Sequence, residues 1–310
     1  MSIAFSQRVS ICHKTHDNKV QSKLCMEHAN PDNPKEFTLN AFCRKPLFTA
    51  ALFGLLASGP VLAADPGEQP SDDWTVTLGA SAILAPLFPG AKGYDSIPIP
   101  TFDIRRFGTP EVRSAPDDNP SLALLNISGF EIGPVAGFRD GRSTSDTKAL
   151  AGIHTIDWDV DAGIFLQYWA VQDTWRFRTE FRQAVSNGSG LVIDVGSDWF
   201  YQPFDGWTIS AGPRASFGDG AYMKSYFGVT SGDAARNGRL SSFDTSGGLK
   251  SVGLTVSASH KIDPDWSIHV YDRFDRMVGD AADSPIIARI GDANQNIVGI
   301  TLKKSFNIKF

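Results

Sequence analysis

Three histidines are the first candidates for chemistry in this sequence, because beyond residue 64 it contains no cysteine. His154, His260 and His269 show neither the H-x-x-x-H nor the H-E-x-x-H spacing of a metal site. His154 lies close to Asp157 and Asp159, as a site that cuts lipid or peptide would require, but these residue types are also ordinary in loops. We therefore predict no catalytic residue, no cofactor and no metal, and a protein that is not an enzyme.

A second set of candidates is a row of charges at alternate positions. Arg176, Arg178, Glu180 and Arg182 follow one another at every second residue, and Arg214 occupies the same face of a later segment. A period of two indicates a β-strand with one polar and one apolar face. In a soluble β-sandwich such a face meets water, whereas in a membrane barrel it faces the lumen and the charges pair. We predict the second arrangement.

Strands of unusual length are needed to position these charges. Alternating runs of about ten residues recur along the chain, close to the roughly 9–11 residues of a membrane-spanning strand and longer than the roughly 5–6 of soluble sheets. Eleven strands are predicted to begin near residues 74, 98, 121, 130, 158, 175, 190, 207, 249, 266 and 296. The last of these, 296–310, is predicted to close the sheet against the first.

Four tryptophans each open one of these strands: Trp74, Trp175, Trp207 and Trp266. Tryptophan favours the membrane interface because its ring is amphipathic. If the four strands run in the same direction, their tryptophans form an aromatic belt at one membrane face. The pattern therefore predicts an all-β, transmembrane, antiparallel up-and-down β-barrel, with a secreted sandwich as the alternative.

Bacterial barrels normally have an even number of strands, with both termini in the periplasm. We therefore predict a twelfth strand in the weakly patterned stretch 105–119, with ten strands as the alternative. Segments 140–157, 219–248 and 278–295 become extracellular loops. Short periplasmic turns are predicted at residues 172–174, 202–206 and 262–264.

The N-terminal part of the chain reads as an export signal. Residues 44–64, RKPLFTAALFGLLASGPVLAA, combine a positive start, a short apolar stretch and small residues before a cleavage site. The predicted barrel domain is then 65–310. Residues 1–43, with Cys12, Cys25 and Cys43, form an N-terminal extension, and its position upstream of the signal suggests a mis-called start codon.

A net charge of -5 gives no reason to expect nucleic-acid binding.

Several stretches resemble a known family. Residues 79–100 read GASAILAPLFPGAKGYDSIPIP and residues 212–230 read GPRASFGDGAYMKSYFGVT, followed by GGLKSVGL at 247–254 and GDAADSPII at 279–287. In order and spacing these are similar to the MipA/OmpV family, outer-membrane proteins named for an MltA-interacting protein. The resemblance implies a Gram-negative envelope protein and a scaffold for murein (peptidoglycan) biosynthesis. The implied partners are a lytic transglycosylase and a murein synthase.

Two groups of residues in the predicted extracellular loops could constrict the barrel mouth or meet a ligand, or else simply pack on the rim. These residues are Tyr222, Tyr226, Phe227, Asp280, Asp283, Ser284 and Pro285.

The last strand carries the predicted assembly signal. A C-terminal aromatic strand resembles the signal that the outer-membrane assembly machinery reads, and Phe306 and Phe310 are the candidates. Lys304 is the single charge on the apolar face of this strand and is predicted to snorkel to the periplasmic interface. Residues 307–310 are predicted to hang below the barrel.

Three functions remain open from the sequence. The first is a non-enzymatic scaffold that contacts murein enzymes through its periplasmic turns. The second is a small porin or ligand-responsive channel, whose luminal arginines would favour anions. The third is a surface adhesin acting through the loops 219–248 and 278–295. Each would lie in outer-membrane lipid.

Overall fold

A computed structural model of the protein describes residues 11–12, 23–24 and 73–309. The chain divides into two units, Met1–Thr49 and Ala50–Phe310. In the first unit, Ile11–Cys12 (β1) pairs antiparallel with Lys23–Leu24 (β2). The predicted signal peptide at 44–64, most of the N-terminal extension and Phe310 lie outside the described residues.

The second unit is built on one eleven-stranded sheet. Its strands are Trp74–Pro86 (β3), Tyr94–Arg106 (β4), Leu125–Ile127 (β5), Phe130–Arg139 (β6), Asp159–Val171 (β7), Trp175–Ala184 (β8), Leu191–Tyr201 (β9), Trp207–Gly218 (β10), Gly248–Lys261 (β11), Trp266–Met277 (β12) and Asn294–Ile308 (β13). Every hydrogen-bonded neighbour pair is antiparallel. The predicted all-β, up-and-down class is confirmed.

The last strand pairs with the first long strand, as its alternating pattern predicts, and β4 and β5 are the edge strands of the described sheet. β13 pairs with β3 from Val298 opposite Leu84 to Ile308 opposite Trp74. The expected overhang is therefore wrong for Asn307 and Ile308, because both belong to the sheet, and Thr75 donates a hydrogen bond of 3.0 Å to the Asn307 side chain. The sheet order then runs from β4 through β3 and β13 back to β6 and β5.

The predicted twelfth strand over 105–119 is wrong. β4 ends at Arg106, and residues 107–119 form no strand. Pro110 and Pro116 have no backbone N–H, so this stretch lacks two hydrogen-bond donors that a strand would need. Asp117 and Asp118 are adjacent, so a membrane strand would direct one of the two charges into lipid. The chain instead returns from the end of β4 as an irregular segment, and β5 and β6 follow it.

The two faces of the sheet differ in character. On β8, for example, Arg176 and Arg178 are buried in the barrel, whereas Trp175 and Phe177 are exposed on its outside. The same alternation places large apolar side chains on the outer face of the other long strands. This is the pattern of a membrane barrel, in which lipid-facing and lumen-facing residues alternate.

The long connections lie at one end of the sheet, here called the loop end, and the short turns 172–174, 202–206 and 262–265 lie at the other, the turn end. The loop end contains a 3-10 turn Lys148–Leu150, the helices Gly220–Phe227 (α1), Ser231–Asn237 (α2) and Gly279–Asp283 (α3), and a π-helical turn Ile286–Ile290. In the described part of the chain, no helix has the length and apolar character to cross a membrane.

Candidate functional site: a filled lumen under a folded cap

Residues 107–119, here called the inner segment, run from the turn end into the lumen, where residues 115–119 are buried or half-buried. It begins at the turn end, where the Phe107 amide donates to the Asp73 carbonyl oxygen at 3.0 Å. It leaves the lumen at Pro120, whose carbonyl oxygen accepts from the Ala136 amide of β6 at 3.0 Å. Between these points the segment contacts strands on several sides of the barrel.

Asp117 makes the densest set of these contacts. Arg214 of β10 donates to both carboxylate oxygens, from Nε at 2.8 Å and from Nη2 at 2.9 Å. Arg273 of β12 donates to Oδ2 at 3.2 Å, and the Thr255 hydroxyl of β11 donates to the same oxygen at 3.0 Å. One carboxylate thus joins three neighbouring strands, and the two-bond contact with Arg214 also fixes its orientation.

The rest of the inner segment is held in the same way. Asp118 lies 2.7 Å from Nη2 of Arg176, and the Asn119 side chain donates to Glu180 at 2.7 Å, both on β8. Near the turn end, Lys303 of β13 lies 2.9 Å from Glu111. Polar contacts therefore attach the inner segment to strands between β8 and β13. Most charged side chains of the segment have a partner in these contacts.

The wall residues form a continuous ion-pair network. Asp198 bridges two of the predicted luminal arginines, since Arg176 Nε donates to it at 3.0 Å and Arg214 Nη2 at 2.7 Å. Arg182 contacts Asp194, and it donates to Asp161 at 3.0 Å. Buried charges need oppositely charged partners, and each of these charges has one, while Arg182 Nε and Asp161 Oδ1 make no hydrogen bond.

Two further luminal pairs complete the network. Arg178 lies 2.8 Å from Glu180, and Arg139 lies 2.8 Å from Asp161. The structure therefore brings together all five charges that the sequence assigned to the lumen. A cavity of about 50 Å³ lies between these charges and the inner segment. At roughly 10–15 Å³ for each water, this is room for a few water molecules and not for a solute.

The loop end folds into a compact cap over this network. Side chains from four connections and from β9 and β12 share one hydrophobic core, which includes Phe88, Leu150, Val192, Tyr222, Met223, Tyr226, Phe227, Leu240, Met277, Ala281, Ile286 and Ile287. Because these connections leave different parts of the barrel wall, their common core spans the mouth.

The first predicted loop group lies inside this core. Tyr222, Tyr226 and Phe227 lie on α1, and all three are buried, with Phe227 at 0% exposure. α1 begins where the Asp219 side chain accepts from the Tyr222 amide at 2.7 Å. Gly190 lies directly beneath, with φ +84, and a Cβ there would come within 2.2 Å of Asp219. The α1 start therefore needs glycine at that position.

Burial also sets the ionisation of the two tyrosines. It raises the pKa of Tyr222 and of Tyr226 well above the usual range, so that both remain neutral. The Tyr226 hydroxyl can then donate to the Asp140 carbonyl oxygen, at 2.6 Å.

The second predicted loop group divides between the core and the surface of the cap. The Ser284 hydroxyl is buried and donates to the Phe227 carbonyl oxygen at 2.6 Å. Asp280 accepts from the Ser246 amide at 3.0 Å, which ties α3 to the chain before β11. Asp283 ends α3 and Pro285 precedes the π-helical turn. Asp280 and Ser284 thus link α3 and the turn after it to neighbouring connections.

His154 takes part in a polar contact inside the cap. Its Nδ1 lies 3.0 Å from Asp233 and its Nε2 lies 2.8 Å from the Ser225 carbonyl oxygen. Asp159 is elsewhere, where it accepts from the backbone amides of 186 and 187. The cluster of His154, Asp157 and Asp159 considered as a hydrolytic site is therefore not assembled.

Asp233 and Arg142 support the same part of the cap. Burial alone would raise the pKa of Asp233, but hydrogen bonds from His154 and Thr230 outweigh it and hold the pKa below its usual value. Arg142 is buried and donates to the carbonyl oxygens of Tyr226 and Ser225. Burial lowers the pKa of Arg142 to about 10, which leaves it charged at neutral pH.

The four predicted belt tryptophans are the first residues of β3, β8, β10 and β12. The antiparallel sheet order makes these four strands parallel to one another, so Trp74, Trp175, Trp207 and Trp266 all lie at the turn end. Their neighbours are aromatic or basic: Trp207 stacks on His260 at 4.4 Å between ring centroids.

Lys304 and Phe306 lie on the outer face of β13 near the same end. The Lys304 ammonium lies 5.1 Å from the ring centroid of Trp266 and 5.2 Å from that of Phe306. Of the two predicted assembly-signal residues, Phe306 is thus partly exposed on the outer face. Phe310 lies outside the described residues.

The sequence did not lead to the residues that pair with the predicted luminal charges. Arg273 lies on the polar face of a predicted strand, and its alternation with Phe274 is a visible signal. Asp117 and Asp118 have no periodic signal at all. The only sequence signal is a pair of adjacent acidic residues in a proline-containing stretch, where polar and apolar residues do not alternate.

Together, the strand lengths, the apolar outer face and the charged lumen define a β-barrel of the outer-membrane type. The family model for the MltA-interacting protein MipA matches residues 78–306, so the chain belongs to that family. Comparison with curated protein sequences returned no match.

Solved structures of outer-membrane channels are similar at low identity. The COG4313 outer membrane channel from Pseudomonas putida F1 has 10% identity and a TM-score of 0.37, covering 79% of this chain and 100% of that chain. The NanC porin has 9% identity and a TM-score of 0.34, covering 74% and 98%. The CymD monoaromatic hydrocarbon channel has 7% identity and a TM-score of 0.33, covering 77% and 90%. At such TM-scores, none of these similarities bears on function.

Proposed function

We propose that the protein is a non-enzymatic scaffold of the bacterial outer membrane that acts through its periplasmic surface and not through a pore. The observation that carries this proposal is the filled lumen, in which Asp117 and Asp118 attach the inner segment to the arginines of the wall. A barrel of this size can be filled by its own side chains. The folded cap supports the same conclusion from the other end.

Family membership supports the proposed partners. The family description names an interaction with MltA, and the resemblance implies a lytic transglycosylase together with a murein synthase. In this proposal the turn end faces the periplasm and the cap faces outwards. The barrel is exported by its signal peptide, and it holds the murein enzymes at the membrane.

The turn end offers exposed apolar side chains for such a contact. Val112 of the inner segment is 77% exposed and Phe204, in the turn between β9 and β10, is 74% exposed. Phe107 and Ile262 are also exposed at this end. Large exposed side chains near the centre of an interface typically supply most of its affinity, which compensates for short turns.

A pull-down tests the proposal. Full-length protein carrying Phe204→Ser and Val112→Ser is expected to lose at least about tenfold of the lytic transglycosylase captured from cross-linked cells, which corresponds to about 1.4 kcal/mol. The matched control is Val185→Ser, because Val185 is 65% exposed at the loop end. Folding of each variant is checked by the heat-dependent gel shift of barrels. If wild-type protein captures no murein enzyme, or the loop-end variant loses capture equally, the proposal fails.

A further inference from the structure

Two basic residues lie on the outer face of the barrel near the turn end, and the scaffold function does not use them. Lys304 of β13 lies opposite Trp266 of β12, and Arg106 of β4 lies opposite Trp74 of β3. Belt tryptophans mark the level at which lipid tails meet lipid headgroups. Lys304 and Arg106, here called the two belt cations, therefore lie at the depth of the headgroups.

Each belt cation packs on an aromatic ring of the belt. The guanidinium carbon of Arg106 lies 5.2 Å from the ring centroid of Trp74, and the Lys304 ammonium lies 5.1 Å from that of Trp266. Arg106 is exposed and Lys304 is half-buried. A ring attracts a cation through its quadrupole but carries no net charge. The rings therefore hold the two cations near the wall and leave their charge uncompensated.

The residues that precede the two belt cations provide a contrast within the same strands. Arg105 and Lys303 face the inside of the barrel, because successive side chains of a strand point to opposite faces. Arg105 is paired with Asp103, and Lys303 lies 2.9 Å from Glu111. Among residues 73–309, neither belt cation forms an ion pair with a carboxylate. On both strands, the inner cation thus has an anionic partner within the chain and the outer cation does not.

We infer that the two belt cations bind the phosphate groups of anionic phospholipids in the leaflet at the turn end. Lipid surrounds the outer face of a membrane barrel, and at the depth of the belt the anions that lipid offers are headgroup phosphates. Both side chains suit this ligand. Arginine donates to phosphate oxygens through its planar fork, and lysine acts on them as a compact point charge.

The net charge of the headgroup decides which phospholipids bind. Phosphatidylglycerol keeps the full negative charge of its phosphate, whereas the choline ammonium of phosphatidylcholine compensates that charge. A basic residue near an anionic lipid surface strengthens binding by about fivefold, the equivalent of about 1 kcal/mol. The belt cations therefore give a preference for phosphatidylglycerol over phosphatidylcholine at the turn end.

Native mass spectrometry of the full-length protein in a neutral detergent tests this inference. Phosphatidylglycerol and phosphatidylcholine are titrated separately, and an apparent Kd for each lipid is obtained from the fraction of lipid-bound protein. We expect the wild-type protein to bind phosphatidylglycerol at least about fivefold more tightly than phosphatidylcholine. In the double variant Lys304→Gln, Arg106→Gln this preference should disappear, and the Kd for phosphatidylcholine should stay within about twofold of the wild-type value.

Two matched variants separate the belt cations from charge in general. Arg276→Gln removes a cation from the outer face of β12 near the loop end, where Arg276 donates to Asn294 at 2.8 Å, and should keep the preference. Lys304→Arg, which retains the charge, should keep it as well. Equal wild-type affinity for the two lipids overturns the inference. So does an unchanged preference in folded Lys304→Gln, Arg106→Gln protein, or an equal loss of preference in Arg276→Gln.

Discussion

The lumen and the outer face of this barrel each contain an aspartate at mid-depth, and they treat it in opposite ways. Asp117 accepts hydrogen bonds from two arginines and a threonine, whereas Oδ1 of Asp272 is buried without a hydrogen-bond partner among residues 73–309. The lumen thus accepts charges as members of an ion-pair network. The outer face is apolar at this depth, and Asp272 lies there opposite Val256 and Val298.

The largest expected effect comes from removing one carboxylate of the luminal ion-pair network. Asp117→Ala leaves Arg214 and Arg273 buried with an incomplete set of partners, and removing one member of a buried pair costs about 3–5 kcal/mol. We expect the free energy of unfolding, measured by denaturant titration in detergent, to fall by this amount. The control is Asp173→Ala, an exposed aspartate 3.9 Å from Arg113 of the same inner segment, for which about 0–1 kcal/mol is expected. Equal effects of the two substitutions would refute the importance of the network.

A second, smaller effect is expected in the cap. Met223→Ala removes a side chain that is 1% exposed in the core under α1. We expect about 2 kcal/mol of destabilisation, near the low end for a buried methionine, because the loops can relax around the space. The opening should be local, and limited proteolysis of residues 219–248 is the measurement. Lys224→Ala, on the exposed side of the same helix, should leave cleavage unchanged.

Acid is expected to loosen the contact between Asp233 and His154. The pKa of Asp233 in the folded protein is below its usual value of 3.8, so its contribution to cap stability is fully present above that value and is lost as the pH falls through the lowered pKa. The protection of amides in α2 and around His154, relative to the intrinsic exchange rate at each pH, should fall below about pH 4. In Asp233→Asn this fall in protection should disappear. Its persistence at the wild-type level would assign the effect to other groups.

The smallest effect concerns the partnered charge of the outer face. Lys304→Ala removes the ammonium group that lies over Trp266 and Phe306, a contact worth about 0.5–1 kcal/mol at exposed sites. A loss of this size in the free energy of unfolding, with unchanged assembly, is expected. Failure of the barrel to assemble would show instead that Lys304 belongs to the assembly signal with Phe306.

Much of the wall was predictable because a strand with two different faces leaves a period-two pattern. The starts of β3, β8, β10 and β12 could be identified from their tryptophans, and the luminal row from Arg176 to Arg182 from its spacing. The inner segment could not, because an irregular chain that is held by ion pairs has no period. Its position depends on Asp117 meeting arginines from distant strands, and this arises only when the barrel forms.

The cap shows the same limit. Tyr222, Tyr226 and Phe227 were recognised as a loop group, but the sequence could not decide between a ligand-binding surface and packing. The three side chains pack in the common core of the cap, since their rings are buried against residues of other loops. His154 was grouped with the neighbouring Asp157 and Asp159, whereas its partner, Asp233, comes from a different loop.

Single-channel recording in a planar lipid bilayer tests the central claim most directly, namely that the inner segment fills the lumen. Wild-type protein is expected to show no steady openings, and the double variant Asp117→Ala, Asp118→Ala is expected to show frequent ones, because it releases the segment from Arg214 and Arg176. Steady openings of the wild-type protein that a solute can block would contradict the account and identify the protein as a channel.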